Sequence, residues 1–454
     1  MIYLLLIVFL IMLYLTFKKF DKDIIAPPVV LVAGYTLSIV CAAVNVKNWG
    51  IDLHLNTFFV LVYGTLLFVI TGYIVKKWME KKYTCYEVNN HQKLMPISIK
   101  TKYLYVYIVF QILVMIIWVW NIYSITNSLG YYENFAERMV TFRKWNSYGI
   151  DWINNYFYVF LNQFNQISMI SPYLFLYIIV YNYFVNKNLH NSTFLFISII
   201  LSIMQIFLTG GRLNVIALFL SCCLYYFLFY YKYYNRRFLI DRKFLMKLFI
   251  LLICGGIGFY YTKVIVGRGD DINIGDIIPY LTMYVGGPIQ LLDMFLQKPI
   301  EVSDIWGKEV FSTLNFQLIR FGILNIKPYI IHLEFRTAET GAFLGNIYTA
   351  YRSYIYDFGF IGLTILPIIF SGFVNYLYYM VIYKCKFSKV NLMFLFYSSI
   401  FWVIFFDFVR SFFFSAICSF IVIKQLIFLI ILTAIFVKGF RIKNLWNNRN
   451  LEAD

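Results

Sequence analysis

Thr209-Gly210-Gly211-Arg212 sets two glycines and a guanidinium between two apolar stretches. Glycine adopts backbone angles closed to other residues, so the pair permits a tight turn. That turn places Arg212 where a helix begins, and a helix N-terminus already favours anions. A guanidinium there suits a phosphate at headgroup depth, although the same side chain can instead snorkel to lipid headgroups. A second group of candidates lies within residues 267–358. It comprises Arg268, in Gly267-Arg268-Gly269-Asp270-Asp271, with Arg320, Arg336, Arg352, His332, Glu334, Glu339 and Asp357. Arginine forks bind diphosphate oxygens, and a histidine or carboxylate can take a proton from a hydroxyl. His332 is the one histidine of that stretch, and imidazole titrates near neutral pH; a packing or surface role is its plainer reading. Asp357 stands just before an apolar stretch, where a carboxylate can cap a helix. Asp407 and Arg410 are three residues apart, a spacing that lets them pair, and Lys424 lies deeper with Asp407 as a candidate partner.

Other patterns carry no chemistry. The seven cysteines avoid the 267–358 stretch and show no metal-ligand spacing, so neither a disulfide framework nor a metal centre is expected. Asp21-Lys22-Asp23 has the form of a metal-binding acidic pair, yet it occupies a six-residue connection with no domain around it. Asp357-Phe358-Gly359 lacks the glycine-rich loop and catalytic loop that would make it a kinase motif.

The elements that hold these residues follow from composition. Of 454 residues, 61% are hydrophobic and 13% charged, against about 25% charged in soluble domains. The apolar residues come in blocks of about 18 or more, enough to cross a hydrocarbon core of about 30 Å. In that core the backbone must satisfy its own hydrogen bonds, so the blocks are helices; the short alternating segments of a membrane barrel are absent. Spans are expected near 2–17, 24–43, 57–75, 102–125, 160–184, 193–209, 213–231, 246–266, 359–381, 390–409 and 414–437. The fold class is therefore an all-α polytopic membrane protein of about eleven helices (ten to twelve), one membrane domain over 1–454. The apolar start, Met1 to Phe17, has no basic leader and reads as a retained helix.

Lysine and arginine in the short connections set the orientation. Lys18, Lys19 and Lys22, the lysines between Lys76 and Lys100, the group from Lys232 to Lys243, Lys384 to Lys389, and the tail from Lys438 all fall on one side. That side is the cytoplasm, which leaves the N-terminus outside and the C-terminus inside. Residues 267–358 then form a large extracytoplasmic loop. It holds ten of the 22 acidic residues and seven of the 39 basic ones. The net charge of +17 thus follows from topology and attraction to the membrane surface, not from nucleic-acid binding. A structureless loop of about 90 residues is improbable. Its apolar patches at 277–296 and 310–331, broken by Gly286-Gly287-Pro288 and Lys327-Pro328, predict short amphipathic or re-entrant helices on the outer surface.

Three segments in order then carry a resemblance. They are Thr209-Gly210-Gly211-Arg212, Tyr284-Val285-Gly286-Gly287-Pro288, and Asn346-Ile347-Tyr348-Thr349-Ala350-Tyr351 followed by Tyr356-Asp357-Phe358-Gly359-Phe360-Ile361-Gly362. Together they resemble the oligosaccharide repeat-unit polymerases, the Wzy-type enzymes of O-antigen and capsule. The resemblance implies a multi-pass glycosyltransferase of the bacterial cytoplasmic membrane with its active site facing outside. Such an enzyme moves a growing chain from polyprenyl diphosphate onto an incoming lipid-linked unit, without metal or cofactor. Its partners would be lipid-linked donor and acceptor, the bilayer, and a chain-length regulator and flippase. In that chemistry Arg212, Arg268, Arg352 and Arg336 would hold diphosphate, and His332, Glu339 or Asp357 would be the base. The alternatives are a lipid-linked oligosaccharide flippase or other transporter, a ligase moving finished glycan to another acceptor, and a membrane O-acyltransferase.

Overall fold

The computed structural model describes residues 1–83, 95–148, 155–186, 192–234, 246, 255–263, 266, 274–331, 333–384 and 390–438. Helices dominate: α1 Ile2–Lys19, α2 Pro27–Val44, α3 Val46–Trp49, α4 Leu55–Lys82, α5 Thr101–Leu129, α6 Phe135–Tyr148, α7 Tyr156–Asn186, α8 Thr193–Leu208 and α9 Leu213–Tyr234 come first. A helical stretch over 255–263, α10, leads to α11 Ile277–Leu296 and α12 Ser312–Arg320. The series ends with α13 Ala350–Lys384, α14 Leu392–Ile400, α15 Trp402–Phe405, α16 Phe412–Ile417 and α17 Phe420–Phe436. Seven helices are long and apolar enough to cross a membrane, and three shorter apolar helical stretches, at 193–208, 392–408 and 420–436, accompany them. Ten of the eleven expected spans thus coincide with apolar helices among the described residues. The remaining one, 246–266, is described only at 246, 255–263 and 266.

The surface is inverted relative to a water-soluble bundle. On α1 the buried residues recur at helical spacing (Ile2, Leu5, Phe9, Met12), while Leu4, Ile7, Ile11 and Leu15 are exposed. On α5 the exposed face is Ile112, Leu113, Ile116, Ile117 and Trp120. Exposed apolar area on this scale identifies lipid-facing helices. Inside, polar groups join helices where hydrophobicity alone gives no drive for association. Ser371 Oγ donates to the Phe68 carbonyl at 2.6 Å, and Gln111 Nε2 donates to Ser202 Oγ at 2.9 Å.

α13 is two helices joined at Gly359 (φ 62°, ψ −156°). Residues 360–384 run alongside α4 in the same direction: Thr364 meets Tyr63, Phe370 meets Phe68, and Tyr376 stacks on Trp78. Residues 350–358 fold back on them, so closely that a Cβ on Gly362 would lie 2.4 Å from the Tyr354 carbonyl oxygen. Tyr351 from this returning piece stacks on Tyr35 in the middle of α2, rings 5.1 Å apart. The short helices expected of this stretch fall at 277–296 and 310–331; the returning piece lies outside both.

The sequence reading of Gly286-Gly287-Pro288 as a break is corrected. α11 passes through it without interruption. Its buried side packs on α2, where a Cβ at Gly286 would sit 2.6 Å from the Ala42 nitrogen. The glycine serves close helix approach and does not end the helix; Ser38 Oγ donates to the Val285 carbonyl at 2.6 Å across the same contact. The second patch is helical only over Ser312–Arg320. Between it and α13 lies a two-stranded antiparallel hairpin, β1 Arg336–Thr337 with β2 Phe343–Gly345, an element outside the all-α expectation.

Candidate functional site

α11 is the element on which the candidate residues converge. Its first half presents Tyr280 and Tyr284 to Arg212, which follows the turn at Gly210 (φ 76°) between α8 and α9. Arg212 Nη1 donates to the Phe259 carbonyl at 2.7 Å and Nη2 to the Tyr280 hydroxyl at 2.8 Å. Its guanidinium carbon lies 3.8 Å from the Phe259 ring centroid, with the Tyr280 and Tyr284 rings at 5.7 and 5.6 Å. A delocalised cation suits such an aromatic cage. Arg212 is 4% exposed: its guanidinium lies inside the protein, tying α10 and α11 to the α8–α9 turn, and does not reach outward as a snorkelling side chain would.

The last turn of α11 carries a second cluster. The Asp293 carboxylate is fully buried. Its Oδ1 accepts from His54 N at 2.9 Å and Thr57 Oγ1 at 2.6 Å. Its Oδ2 lies 3.0 Å from His54 Nδ1 and accepts from Gln297 Nε2 at 2.9 Å. Residue 54 is the N-cap of α4 and offers no side-chain cap of its own, so Asp293 supplies the missing acceptor at a helix end that favours negative charge. The His54 side chain remains 53% exposed. The hydrogen bond and charge of Asp293 push its imidazole above the usual histidine range.

Two arginines border the same turn. Arg336, in β1, donates from Nη1 to the Met294 carbonyl at 3.3 Å, a helix-end oxygen without an intrahelical partner. It also pairs with Glu334 through Nε at 3.2 Å and Nη2 at 2.8 Å, which holds the exposed Glu334 carboxyl below its ordinary range. Arg352, on the returning piece of α13, lies 5.1 Å from the Phe295 ring, 5.1 Å from Tyr348 and 4.8 Å from Tyr356. Its Nη1 pairs with buried Glu309, which also accepts from Ser353 Oγ at 2.9 Å. Arg410 is within electrostatic reach of both Glu309 and Arg352, and among the described residues its partly buried guanidinium makes no hydrogen bond. This group therefore holds two guanidiniums against one paired carboxylate. Beside it opens a cavity of about 490 Å³ lined by Glu301, Ser303, Asp304, Lys308 and Tyr356.

The other sequence candidates are distributed differently. Asp357 is buried, and its oxygens accept from the backbone N–H of Glu309 (3.2 and 2.9 Å) and Val310 (2.7 Å). It caps the turn before α12 and not the helix that follows it in sequence. Glu339 is exposed at the tip of the hairpin, which Thr340 Oγ1 anchors to the Asn48 carbonyl at 2.7 Å. His332 and Arg268 lie outside the described residues. The expected Asp407–Arg410 pair does not form: Asp407 accepts from the Tyr35 hydroxyl at 3.0 Å. Lys424 donates to Gln163 Oε1 at 2.7 Å instead of meeting Asp407. Sequence reasoning missed His54, Asp293 and Glu309. Their partners lie 239 and 43 residues away, and no local spacing signals them.

No protein-family model, curated protein or solved structure matches this chain.

Proposed function

We propose that the chain joins polyprenyl-diphosphate-linked oligosaccharide units on the outer face of the bacterial cytoplasmic membrane, as a repeat-unit polymerase. One observation carries this reading: α11 contains the second resembling segment, Arg212 of the first bonds its Tyr280, and Arg352, which lies between the two parts of the third, is 5.1 Å from its Phe295 ring. In this reading Arg352, Arg410 and Arg336 receive the diphosphate. Charge gathers on that group as the glycosyl bond breaks, and fixed guanidinium donors stabilise it. Arg212 positions α11 from within its cage. The cavity beside Tyr356 would take part of the glycan, with the Tyr356 and Ser303 hydroxyls and the Glu301, Asp304 and Lys308 side chains on its wall.

A transporter reading drew on a midplane pair of Lys424 and Asp407. Their separate partners, Gln163 and Tyr35, remove that support. The test is deletion of the gene followed by sizing of the surface glycan. Loss of long chains with single units retained is the expected result; loss of all glycan would point to transport. Complementation with Arg212→Ala is expected to leave single units while the protein still inserts, and long polymer from that variant would overturn the role of the cage.

A further inference from the structure

A reaction that joins two lipid-linked units must hold two diphosphates at once, and the Arg352 and Arg410 group accounts for one. We infer that Arg320 and Lys424 form a second site for a lipid-borne diphosphate, that of the acceptor; this deepens the polymerase reading and rests on it.

Arg320 is the last residue of α12, and Lys424 lies one turn into α17. Two contacts bring these helix ends together. Gln317 Oε1 accepts from the Phe420 N–H at 2.9 Å, so α12 supplies the cap that Ser419 does not. The Phe321 ring meets the Phe420 ring edge-on, centroids 5.7 Å apart. Arg320 precedes Phe321 directly, and Lys424 follows Phe420 by four residues on the same face of α17. Both cations therefore border one contact. The Arg320 charge acts on Lys424, and no carboxylate among the described residues does. Arg320 is exposed and makes no hydrogen bond or ion pair among the described residues. Lys424 is partly buried and gives one hydrogen bond, to Gln163 Oε1, although an ammonium carries three donors. Like charges held together cost free energy, and an anion between them removes that cost; the first turn of α17 adds N–H groups that favour negative charge. The surroundings are those of a lipid headgroup. Phe321, Ile323 and Phe420 are 64%, 71% and 44% exposed, so an apolar strip for a lipid chain runs beside the cations.

α16 links the two cation groups. Arg410 lies just before it and Phe420 shortly after it. Phe414, within it, lies 5.5 Å from Phe311 beside α12 and 5.9 Å from Tyr354 on the returning piece of α13. Six helical residues rise about 9 Å, so the groups are neighbours without being one site. The chemistry asks for that separation. The donor is cut next to its own diphosphate, so the cations that stabilise the leaving charge must stand at the reacting carbon. The acceptor reacts through a hydroxyl of its glycan, away from its own diphosphate, which stays attached throughout. No charge develops there in the transition state. Arg320 and Lys424 would therefore hold substrate and transition state equally, which lowers the substrate needed without changing the maximal rate.

The test uses the purified full-length chain in neutral detergent at low ionic strength, with polyprenyl diphosphate lacking sugar as the probe. Wild type is expected to bind two per chain. Arg320→Gln combined with Lys424→Gln is expected to bind one, the retained site reporting that the variant is folded. Arg320→Lys combined with Lys424→Arg keeps both charges and is expected to bind two. One probe per chain in wild type, or two in the Gln pair, overturns the assignment. Displacement of the second probe by an equal concentration of phosphatidylglycerol also overturns it, because the site would then take phospholipid headgroups in general. Elongation of lipid-linked oligosaccharide is followed in vesicles of cells deleted for the gene and complemented with each variant. Each cation removed is expected to raise the half-saturating substrate concentration about tenfold, with the maximal rate within a few-fold of wild type; Arg352→Gln is expected to lower the maximal rate instead. A lower maximal rate at unchanged half-saturation in the Gln pair contradicts an acceptor site. Normal long glycan in the deletion strain removes the polymerase reading itself, whereas unchanged stoichiometry with long glycan lost removes the second site alone.

Discussion

Asp357→Ala tests whether a buried carboxylate in the most distinctive motif is chemistry or architecture. In the structure its two oxygens receive the N–H groups of Glu309 and Val310, the shortest contact being 2.7 Å. Those donors sit in a buried turn, 7% and 0% exposed, where water cannot replace the lost acceptor. A hydrogen bond to a charged group contributes about 1.5–3 kcal/mol, so two orphaned donors cost about 3–6 kcal/mol. Asp357→Asn retains one acceptor oxygen and should cost about half of that. The same turn holds Glu309 against Arg352, so loosening it also releases the arginine pair. The assay is thermal unfolding of the purified protein in detergent with limited trypsin digestion, because Lys308 lies in the turn and becomes cleavable when it opens. The Ala variant is expected to unfold at lower temperature and to be cut after Lys308, with Asn intermediate. If Ala is as stable and as resistant as the parent while elongation is abolished, Asp357 is not a structural cap and belongs in the chemistry.

Two further outcomes follow from the same geometry. Gly286→Val forces a side chain into the Ala42 backbone, 2.6 Å from an ideal Cβ; overpacking of this kind costs about 1–3 kcal/mol, read as a lower unfolding temperature with loss of the α2–α11 contact. Glu334→Gln removes an exposed ion pair. Because Arg336 depresses the Glu334 carboxyl, the pair contributes stability above the ordinary carboxylate range and loses it as pH falls through the depressed value. The variant should therefore unfold slightly earlier than wild type at neutral pH and coincide with it once the pH is below the depressed Glu334 value; a difference that grows in acid would contradict the pairing.

Much of the scaffold was legible because bilayer physics leaves few choices. An apolar block of spanning length becomes a helix whatever its neighbours do, and ten expected spans coincide with apolar helices. The reading failed where a local rule met a tertiary contact. Gly286-Gly287-Pro288 looks like a break because glycine and proline weaken isolated helices. Here glycine is the residue that lets α11 approach the α2 backbone, and that packing holds the helix together. Asp407 and Arg410 are correctly spaced to pair along a regular helix, yet residues 406–408 form a 3₁₀ turn and the chain bends away at 409–411. The regular spacing is lost, and Tyr35, from a helix far back in sequence, takes the carboxylate.

The site shows the same limit from the other direction. Each arginine could be picked out singly, because a cation in an apolar chain is conspicuous. Its electrostatic role could not, since that depends on which acid the fold delivers. Glu309 and Asp357 lie in the same stretch and are both buried, but one neutralises a guanidinium and the other caps a turn. That difference sets the net charge of the Arg352–Glu309–Arg410 group; the cavity beside it is lined by Glu301, Asp304 and Lys308. With Asp357 engaged by backbone N–H groups and Glu309 shared by Arg352 and Ser353, Arg410 is the cation left without a hydrogen-bonded partner among the described residues. A partly buried cation costs free energy to the extent that no anion offsets it, so the fold holds Arg410 at a partial cost. Occupation of the site by diphosphate would recover it. Glu309, Arg336, Arg352 and Arg410 come from the turn before α12, from β1, from the returning piece of α13 and from the stretch before α16, so no single segment contains them.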